Sequence, residues 1–112
     1  MKHKARIVII GAGIVGCSTA YHLSKLGWSD IVVVEQGPLF ETGGSTSHAP
    51  GLVFQTNPAR TMSVLSQDTV ELYSNLELQG KSCYYPVGSM EVAWTPERLE
   101  ELKRRVGIGT SY

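Results

Sequence analysis

The sequence has little of several features that mark particular classes of protein. It contains two cysteines, Cys17 and Cys83, among 112 residues, which is too few for a disulfide framework and is typical of a reducing compartment. No apolar run approaches the roughly 20 residues that a membrane helix needs. The ten basic and ten acidic side chains cancel, so we expect neither nucleic acid nor a membrane as a partner.

The beginning of the sequence also lacks the pattern of a targeting segment. A short polar stretch precedes the first apolar run, so we expect a cytoplasmic location, with the mitochondrial matrix as the alternative. The histidines and cysteines do not follow any metal-ligand spacing, and no metal is expected. The charged clusters at residues 100–101 and 103–105 predict a solvated helix face.

The first half of the chain alternates strand, helix and strand. Residues 5–10 are apolar and rich in β-branched side chains, which predicts a parallel strand covered on both faces. Residues 14–26 predict a helix that stops at Gly27. Residues 31–34 predict a second buried strand. Three such elements within about 30 residues have the size of one βαβ unit.

A long loop and a second helix follow. Residues 36–56 contain one Gly-Pro, one Gly-Gly and one Pro-Gly pair and predict a loop. Its length of about 20 residues is unusual unless the loop is functional. Asn57 is the predicted N-cap of the second helix, with Pro58 at its first position. Gly80 is the predicted end of this helix.

The last third predicts a hairpin and a third helix. Residues 84–87 and 89–94 predict a β-hairpin around Gly88, in which Met90, Val92 and Trp94 share one face. The aromatic side chains of this segment fit a hairpin core better than a substrate cavity. Residues 95–97 start the third helix. Residues 107–112 show neither strand nor helix character.

The turn between the first strand and the first helix carries a dinucleotide fingerprint. Residues 11–16 read G-x-G-x-x-G between a predicted strand and a predicted helix. In this motif Gly11 permits the turn, Gly13 lets the backbone approach a pyrophosphate, and Gly16 lets helix and strand pack closely. Glu35 ends the second strand about 20 residues further on, where a carboxylate accepts hydrogen bonds from a ribose and disfavours a 2′-phosphate. The motif alone leaves FAD and NAD open.

Further blocks make the sequence resemble a known family. They are IVIIGAGIVG at residues 7–16, EQGPL at 35–39, GGSTSHAPGLVFQTNP at 43–58 and SMEVAWTPERLEELKRR at 89–105. The sequence resembles the N-terminus of dimethylglycine oxidase, dimethylglycine dehydrogenase and sarcosine dehydrogenase, which belong to the glycine/D-amino-acid oxidase group of flavoenzymes. The resemblance covers about residues 5–106, and the block at 43–58 is its most specific part.

The resemblance implies an FAD site whose flavin is bonded covalently through its 8α-methyl group to His48. Backbone groups of Ile14 and Val15 would contact the pyrophosphate, and Glu35 and Gln36 would hold the adenosine ribose. The segment around the S-T-S-H sequence would contact the pyrophosphate and ribityl chain, with one apolar side chain near the flavin ring. The complete implied set is Gly11, Gly13, Ile14, Val15, Gly16, Glu35, Gln36, Gly44, Ser45, Thr46, Ser47, His48 and Leu52.

The resemblance also implies the fold and the reaction of a larger enzyme. We expect an α/β fold: an incomplete, Rossmann-like βαβ FAD-binding unit followed by a cofactor loop, helices and a β-hairpin. Residues 1–112 would be the truncated N-terminal part of an oxidoreductase domain, without the second domain. The family oxidises N-methyl amino acids by hydride transfer to the flavin and passes electrons to oxygen or an electron-transfer flavoprotein. A region outside this chain would bind tetrahydrofolate.

Several alternatives stay open from the sequence. The chain by itself could be a non-catalytic FAD- or ADP-binding fragment without turnover, and no catalytic residue is assigned within it. An NAD-linked dehydrogenase is disfavoured by the S-T-S-H block. The sequence does not distinguish dimethylglycine from sarcosine as substrate, or an oxidase from a dehydrogenase.

Overall fold

The structure is a computed structural model that describes residues 3–38, 40–41 and 43–111. Leu39 and Thr42 of the predicted loop, and Tyr112, lie outside the described residues. The chain divides into two units, Met1–Gly51 and Leu52–Tyr112. The first unit contains strand β1 (Ile7–Ile10), helix α1 (Ile14–Lys25), strand β2 (Ile31–Val34) and the single-turn helix α2 (Ser45–His48). The second contains helix α3 (Arg60–Ser74), strands β3 (Glu77–Leu78) and β4 (Lys81–Ser82), and helix α4 (Pro96–Gly109).

The first unit is the predicted βαβ unit. β1 and β2 pair in parallel, with Ile7 opposite Ile31 and Ile10 opposite Val34. The ladder continues into the glycine turn, where the amide of Gly11 donates to the carbonyl of Val34 at 2.7 Å. The predicted α/β class and the parallel strand pair are therefore confirmed, and the turn is joined directly to the end of β2.

One face of the strand pair is covered less than the sequence predicts. Ile7 and Ile9 are half-buried, and Ile9 lies on the side that α1 approaches at Gly16. Val8 and Ile10 keep 56% and 87% of their surface exposed. The prediction of two covered faces is wrong for the described residues because a single crossover helix covers only one face of a parallel pair.

The second unit begins with α3, which starts later than predicted. Its N-cap is Ala59, and the helix runs from Arg60 to Ser74 instead of reaching Gly80. Asn57 is not the N-cap, because its side-chain oxygen accepts from the amide of Ala59 in a local turn. The buried Ser63 hydroxyl donates to the Asn57 carbonyl and accepts from its amide, which holds this turn against the helix.

The hairpin lies before the segment in which it was predicted. β3 and β4 pair antiparallel, with Glu77 opposite Ser82. They are joined by Gln79 and Gly80, which both have positive φ, the combination required by the commonest hairpin turn. Residues 84–94 contain no strand, so the predicted hairpin around Gly88 is wrong.

Charged side chains explain why residues 84–94 follow a different path. Glu91 accepts hydrogen bonds from Arg98 and Arg105 of α4, and both arginines also bind Glu101. The four groups form a closed ring of alternating charge, which fixes this segment to α4 instead of to a partner strand. The half-buried pair Glu101–Arg105 therefore departs from the predicted solvated face, whereas the Glu100–Lys103 pair is exposed as predicted.

α4 begins where the sequence predicts and ends later. The Thr95 hydroxyl accepts from the amide of Arg98 at 3.2 Å as the N-cap, and Pro96 is the first helical residue. The helix continues to Gly109, so the prediction that residues 107–112 lack helical character is wrong for its first part. The hydroxyls of Thr110 and Ser111 donate to carbonyls of the last turn and satisfy them. The sequence pattern did not indicate this capping role.

Candidate functional site

A cavity of about 370 Å³ lies at the carboxyl ends of the two parallel strands. This edge is where ligands bind in open α/β sheets. All of its lining residues belong to the first unit. They are Ile10, Gly11, Gly13, Val34, Glu35, Gln36, Gly44, Ser45 and Thr46.

The glycine turn brings the backbone into the wall of this cavity. Gly11 has φ = +98°, a conformation that side-chain-bearing residues rarely adopt. A Cβ atom at Gly16 would overlap the carbonyl oxygen of Gly11 and lie 3.3 Å from Cγ2 of Ile9. Glycine at these positions therefore permits the sharp turn and the close packing of α1 on β1.

Glu35 is held at the end of β2 by backbone amides. One carboxylate oxygen accepts from Ala12 of the glycine turn at 2.7 Å, and the other accepts from Gln36 at 2.8 Å and Gly37 at 3.0 Å. The Ala12 amide, followed by that of Gly37, lowers the pKa of the Glu35 carboxyl from its ordinary value, against the opposing effect of burial. Glu35 is thus a fixed carboxylate that also braces the turn.

Thr46 connects the short helix α2 to the beginning of α1. Its hydroxyl oxygen accepts from the amide of Ile14 at 2.9 Å. The first amides of a helix have no intrahelical partner, so Thr46 satisfies one of them. A Cβ atom at Gly13 would lie 2.9 Å from the same hydroxyl oxygen. The second glycine of the motif therefore makes room for a side chain of the protein itself.

His48 ends α2 and is exposed. Its Nδ1 lies 2.9 Å from the carbonyl oxygen of Gly44. A carbonyl oxygen can only accept, so Nδ1 carries the proton and the Nε2 atom of the neutral ring bears the lone pair. The same Gly44 carbonyl also accepts from the amide and hydroxyl of Ser47, which fixes the turn that presents the imidazole.

The structure brings together about half of the residues that the sequence singled out. Those in the wall of the cavity are Gly11, Gly13, Glu35, Gln36, Gly44, Ser45 and Thr46. Ile14, Val15, Gly16, Ser47 and His48 lie in the same unit but not in that wall. Leu52 belongs to the second unit, and its proximity to a flavin stays a prediction.

Sequence reasoning missed two residues of the cavity, Ile10 and Val34. Each is the last residue of its strand. Their position was available from the sequence, because residues at the carboxyl end of a parallel strand face the ligand crevice of an α/β sheet. They supply an apolar wall beside the polar groups of Glu35 and the glycine turn.

A family model described as FAD dependent oxidoreductase matches residues 6–111. The chain belongs to the FAD dependent oxidoreductase family. This finding confirms the family resemblance and the choice of FAD over NAD. It also confirms that the βαβ unit is Rossmann-like and forms part of an FAD-binding unit.

Curated relatives of this FAD dependent oxidoreductase chain include enzymes of N-methyl amino acids. Mitochondrial dimethylglycine dehydrogenase of Rattus norvegicus is 41% identical over 104 residues, which cover 91% of the chain. Mitochondrial sarcosine dehydrogenase of Homo sapiens is 35% identical over 116 residues, or 96% of the chain. The mitochondrial pyruvate dehydrogenase phosphatase regulatory subunit of Mus musculus is 40% identical over 103 residues, or 90% of the chain. The chain spans 12% of the length of each of these relatives.

The residues of the cavity are suited to the adenosine and pyrophosphate parts of FAD. The Ile14 amide is bound by Thr46, so the other first amides of α1 and the positive end of the helix dipole are the groups that suit phosphate oxygens. The fixed carboxylate of Glu35 has the chemistry to accept a hydrogen bond from a hydroxyl group. Within the described residues, no helix is long and apolar enough to cross a bilayer, and no three histidine, cysteine or acidic side chains form a metal-binding group.

Proposed function

We propose that the chain is the FAD-binding segment of an enzyme that oxidatively demethylates dimethylglycine or sarcosine. The observation that carries this proposal is the combination of a Glu35-braced glycine turn with an adjoining S-T-S-H turn, in a chain about 40% identical to dimethylglycine dehydrogenase. Bound there, FAD would supply the capacity to accept a hydride from an N-methyl amine, and the oxidised product would be hydrolysed to formaldehyde or captured by tetrahydrofolate. The residues of this chain bind and orient the cofactor.

Glu35 has a narrower task in this proposal than the fingerprint alone suggests. A carboxylate offers about four lone-pair positions, and backbone amides of Ala12, Gln36 and Gly37 use three of them. Room remains for about one further donor. Glu35 would therefore accept from one ribose hydroxyl while it keeps the glycine turn in place, and Gln36 would supply the neighbouring contact.

His48 is proposed as the residue that bonds to the flavin. Gly44 holds the Nδ1 proton, so the lone pair of Nε2 is the nucleophile. The exposed position of the ring leaves this atom accessible. The flavin would supply its 8α-methyl carbon as the electrophile; loss of a proton from that carbon to solvent and reoxidation of the flavin by the electron acceptor of the enzyme would balance the new C–N bond.

A second candidate function is regulatory and lacks turnover. It is favoured by the 40% identity to the pyruvate dehydrogenase phosphatase regulatory subunit, because this relative carries a similar segment and its name describes no oxidation. A non-catalytic fragment that binds FAD or ADP would have the same signature in isolation. The regulatory function and the non-catalytic fragment both predict that the cofactor binds and that an amine does not reduce it.

Flavin bleaching distinguishes these functions. The protein is expressed from its complete reading frame, made anaerobic, and mixed with dimethylglycine, sarcosine or glycine while the flavin absorbance is followed. We expect bleaching with at least one N-methylated compound and none with glycine, which has no N-methyl group. An unchanged spectrum with both N-methyl amino acids contradicts the enzymatic proposal and favours the regulatory one.

The acceptor and the location are further parts of the proposal. Oxygen consumption during turnover would identify an oxidase, and dependence on an electron-transfer flavoprotein or a dye would identify a dehydrogenase. The location is either the cytoplasm or the mitochondrial matrix. The names of the rat and human relatives contain the word mitochondrial, which favours the matrix alternative, and cell fractionation distinguishes the two.

A further inference from the structure

Two observations connect α2 to the beginning of α1 through the side chain of Thr46. The hydroxyl oxygen of Thr46 accepts from the Ile14 amide at 2.9 Å. A Cβ atom built on Gly13 would come within 2.9 Å of the same oxygen, which is closer than real Cβ contacts are. The hydrogen bond and the steric fit are separate observations, and both place the Thr46 side chain directly against the glycine turn. We call this contact the Thr46–Ile14 link.

The position of His48 depends on the same short turn. α2 consists of four residues, Ser45–His48, and one turn of helix has little stability of its own. Inside the turn, the Gly44 carbonyl accepts from the Ser47 amide at 3.1 Å and contacts Nδ1 of His48 at 2.9 Å. These contacts fix His48 relative to Gly44, but they do not fix the turn relative to α1. The Thr46–Ile14 link does.

We propose that Thr46 is a positioning residue, whose hydroxyl fastens α2 to the N-terminus of α1 and so sets the place of His48 relative to the glycine turn. This inference rests on the proposed attachment of the flavin to His48. It differs from the role of phosphate contact that the family resemblance implies. It also gives Gly13 a second task, which is to make room for Thr46.

The two roles of Thr46 predict different kinetics. A phosphate ligand contributes to holding FAD, so its loss weakens the affinity for FAD. A positioning residue acts on the geometry of the attacking nitrogen, so its loss slows formation of the covalent bond while the affinity changes little. Valine has the shape of threonine without the hydroxyl, and serine retains the hydroxyl, so the two replacements form a matched pair.

The experiment uses full-length apo-protein produced without flavin and then mixed with FAD. For Thr46→Val we expect acid-stable flavin to form about tenfold more slowly, with the dissociation constant of FAD changed by less than about twofold, because one hydrogen bond has been removed. Thr46→Ser should restore the rate. An unchanged rate in Thr46→Val overturns the proposal, and so does a loss of affinity by the same factor as the rate.

A measurement on the apo-protein tests the link without any cofactor. Hydrogen exchange at the Ile14 amide should be faster in Thr46→Val than in the unchanged protein and in Thr46→Ser. Equal exchange in all three proteins would show that the link does not form and would contradict the proposal. If the unchanged protein forms no acid-stable flavin, the proposed attachment at His48 fails; if it does and Thr46→Val matches it, only the positioning role fails.

A double-mutant cycle examines the contact with Gly13. Gly13→Ala should slow flavin attachment, because its methyl group displaces the Thr46 hydroxyl. In a Thr46→Ala background the displaced atom is absent, so the effect of Gly13→Ala should be smaller, with only its direct effect on the cofactor remaining. An equal effect of Gly13→Ala in both backgrounds would assign this glycine to the cofactor alone and contradict its proposed second task.

Discussion

Glu35 shows how one side chain combines binding and support. Both of its oxygens accept backbone hydrogen bonds, and the strongest influence on its pKa is the amide of Ala12 across the turn. The sequence motif identified the residue from its distance to the glycines. It did not reveal that the carboxylate is already occupied by the protein, because that depends on the conformation of residues 36 and 37.

The lowered pKa predicts a particular dependence of stability on pH. A carboxyl group whose pKa is lower in the folded protein stabilises the fold above its unfolded pKa of about 4.3. This contribution declines as the pH falls from that value and is lost below the folded pKa. We therefore expect Glu35→Gln to lower the thermal midpoint of the apo-protein at pH 7, with the difference from the unchanged protein vanishing in acid.

Glu41→Gln is the matched control for this prediction. It removes the same charge from the same unit, and the Glu41 side chain is exposed and makes no hydrogen bond among the described residues. Its thermal midpoint should follow that of the unchanged protein at every pH. A constant difference between Glu35→Gln and the unchanged protein from pH 7 to pH 3 would contradict the assignment of the effect to ionisation.

At the scale of the elements, the close packing of α1 on β1 depends on the absence of a Cβ atom at Gly16. A methyl group at Gly16 would overlap the Gly11 carbonyl oxygen, which belongs to the backbone and cannot rotate away. Gly16→Ala should therefore displace α1 and lower the free energy of unfolding by about 1–3 kcal/mol, the usual cost of overpacking. Denaturant-induced unfolding of the two proteins provides the measurement.

Gly107→Ala is the same substitution with the opposite expected effect on the free energy of unfolding. Gly107 lies within α4, and a Cβ atom there meets nothing within 4 Å. The gain in helix propensity should stabilise the protein by up to about 1 kcal/mol. Destabilisation by both replacements to the same extent would show that the steric account of Gly16 is incorrect.

The sequence predicted the elements best where local pattern and tertiary contacts agree. β2 has its predicted bounds, Ile31–Val34, and α1 begins at the predicted residue. The hairpin was misplaced because alternation at residues 89–94 competes with the ion pairs of Glu91, which join this segment to arginines of the following helix. Gln79 adopts a positive φ without the Asn or Asp that usually marks such a turn, so its local signal was weak.

The residues of the candidate site were likewise predictable only where a local pattern encodes them. The glycine spacing and Glu35 could be predicted, because the motif encodes a local turn and one cross-strand contact. The family resemblance, not spacing, directed attention to His48. The link from Thr46 to Ile14 joins residues far apart in the chain, and no local pattern indicates it.

At the scale of the whole molecule, the main feature is the exposure of apolar side chains. Among the described residues no hydrophobic side chain is fully buried, and Ile10 and Val87 keep 87% and 85% of their surface accessible. Large exposed apolar surface marks sites where further protein packs. The chain also spans only 12% of its relatives' length, and both facts support the proposal that these 112 residues are a part of a larger domain.

This proposal predicts the behaviour of the 112-residue segment expressed by itself. Without a buried apolar core it should bind a hydrophobic dye such as ANS strongly and unfold gradually on heating, with no sharp transition. The protein from the complete reading frame should bind little dye and unfold cooperatively. A sharp unfolding transition of the isolated segment without dye binding would contradict the proposal.

Acid-stable flavin tests the central claim most directly. The protein from the complete reading frame is denatured in acid and washed, and the precipitate is examined for flavin absorbance and for the mass of a flavin-bearing peptide that contains residues 43–51. We predict flavin on this peptide in the unchanged protein and none in His48→Ala, which should still bind FAD before denaturation. Flavin that washes out of the unchanged protein, or that remains in His48→Ala, would contradict the account.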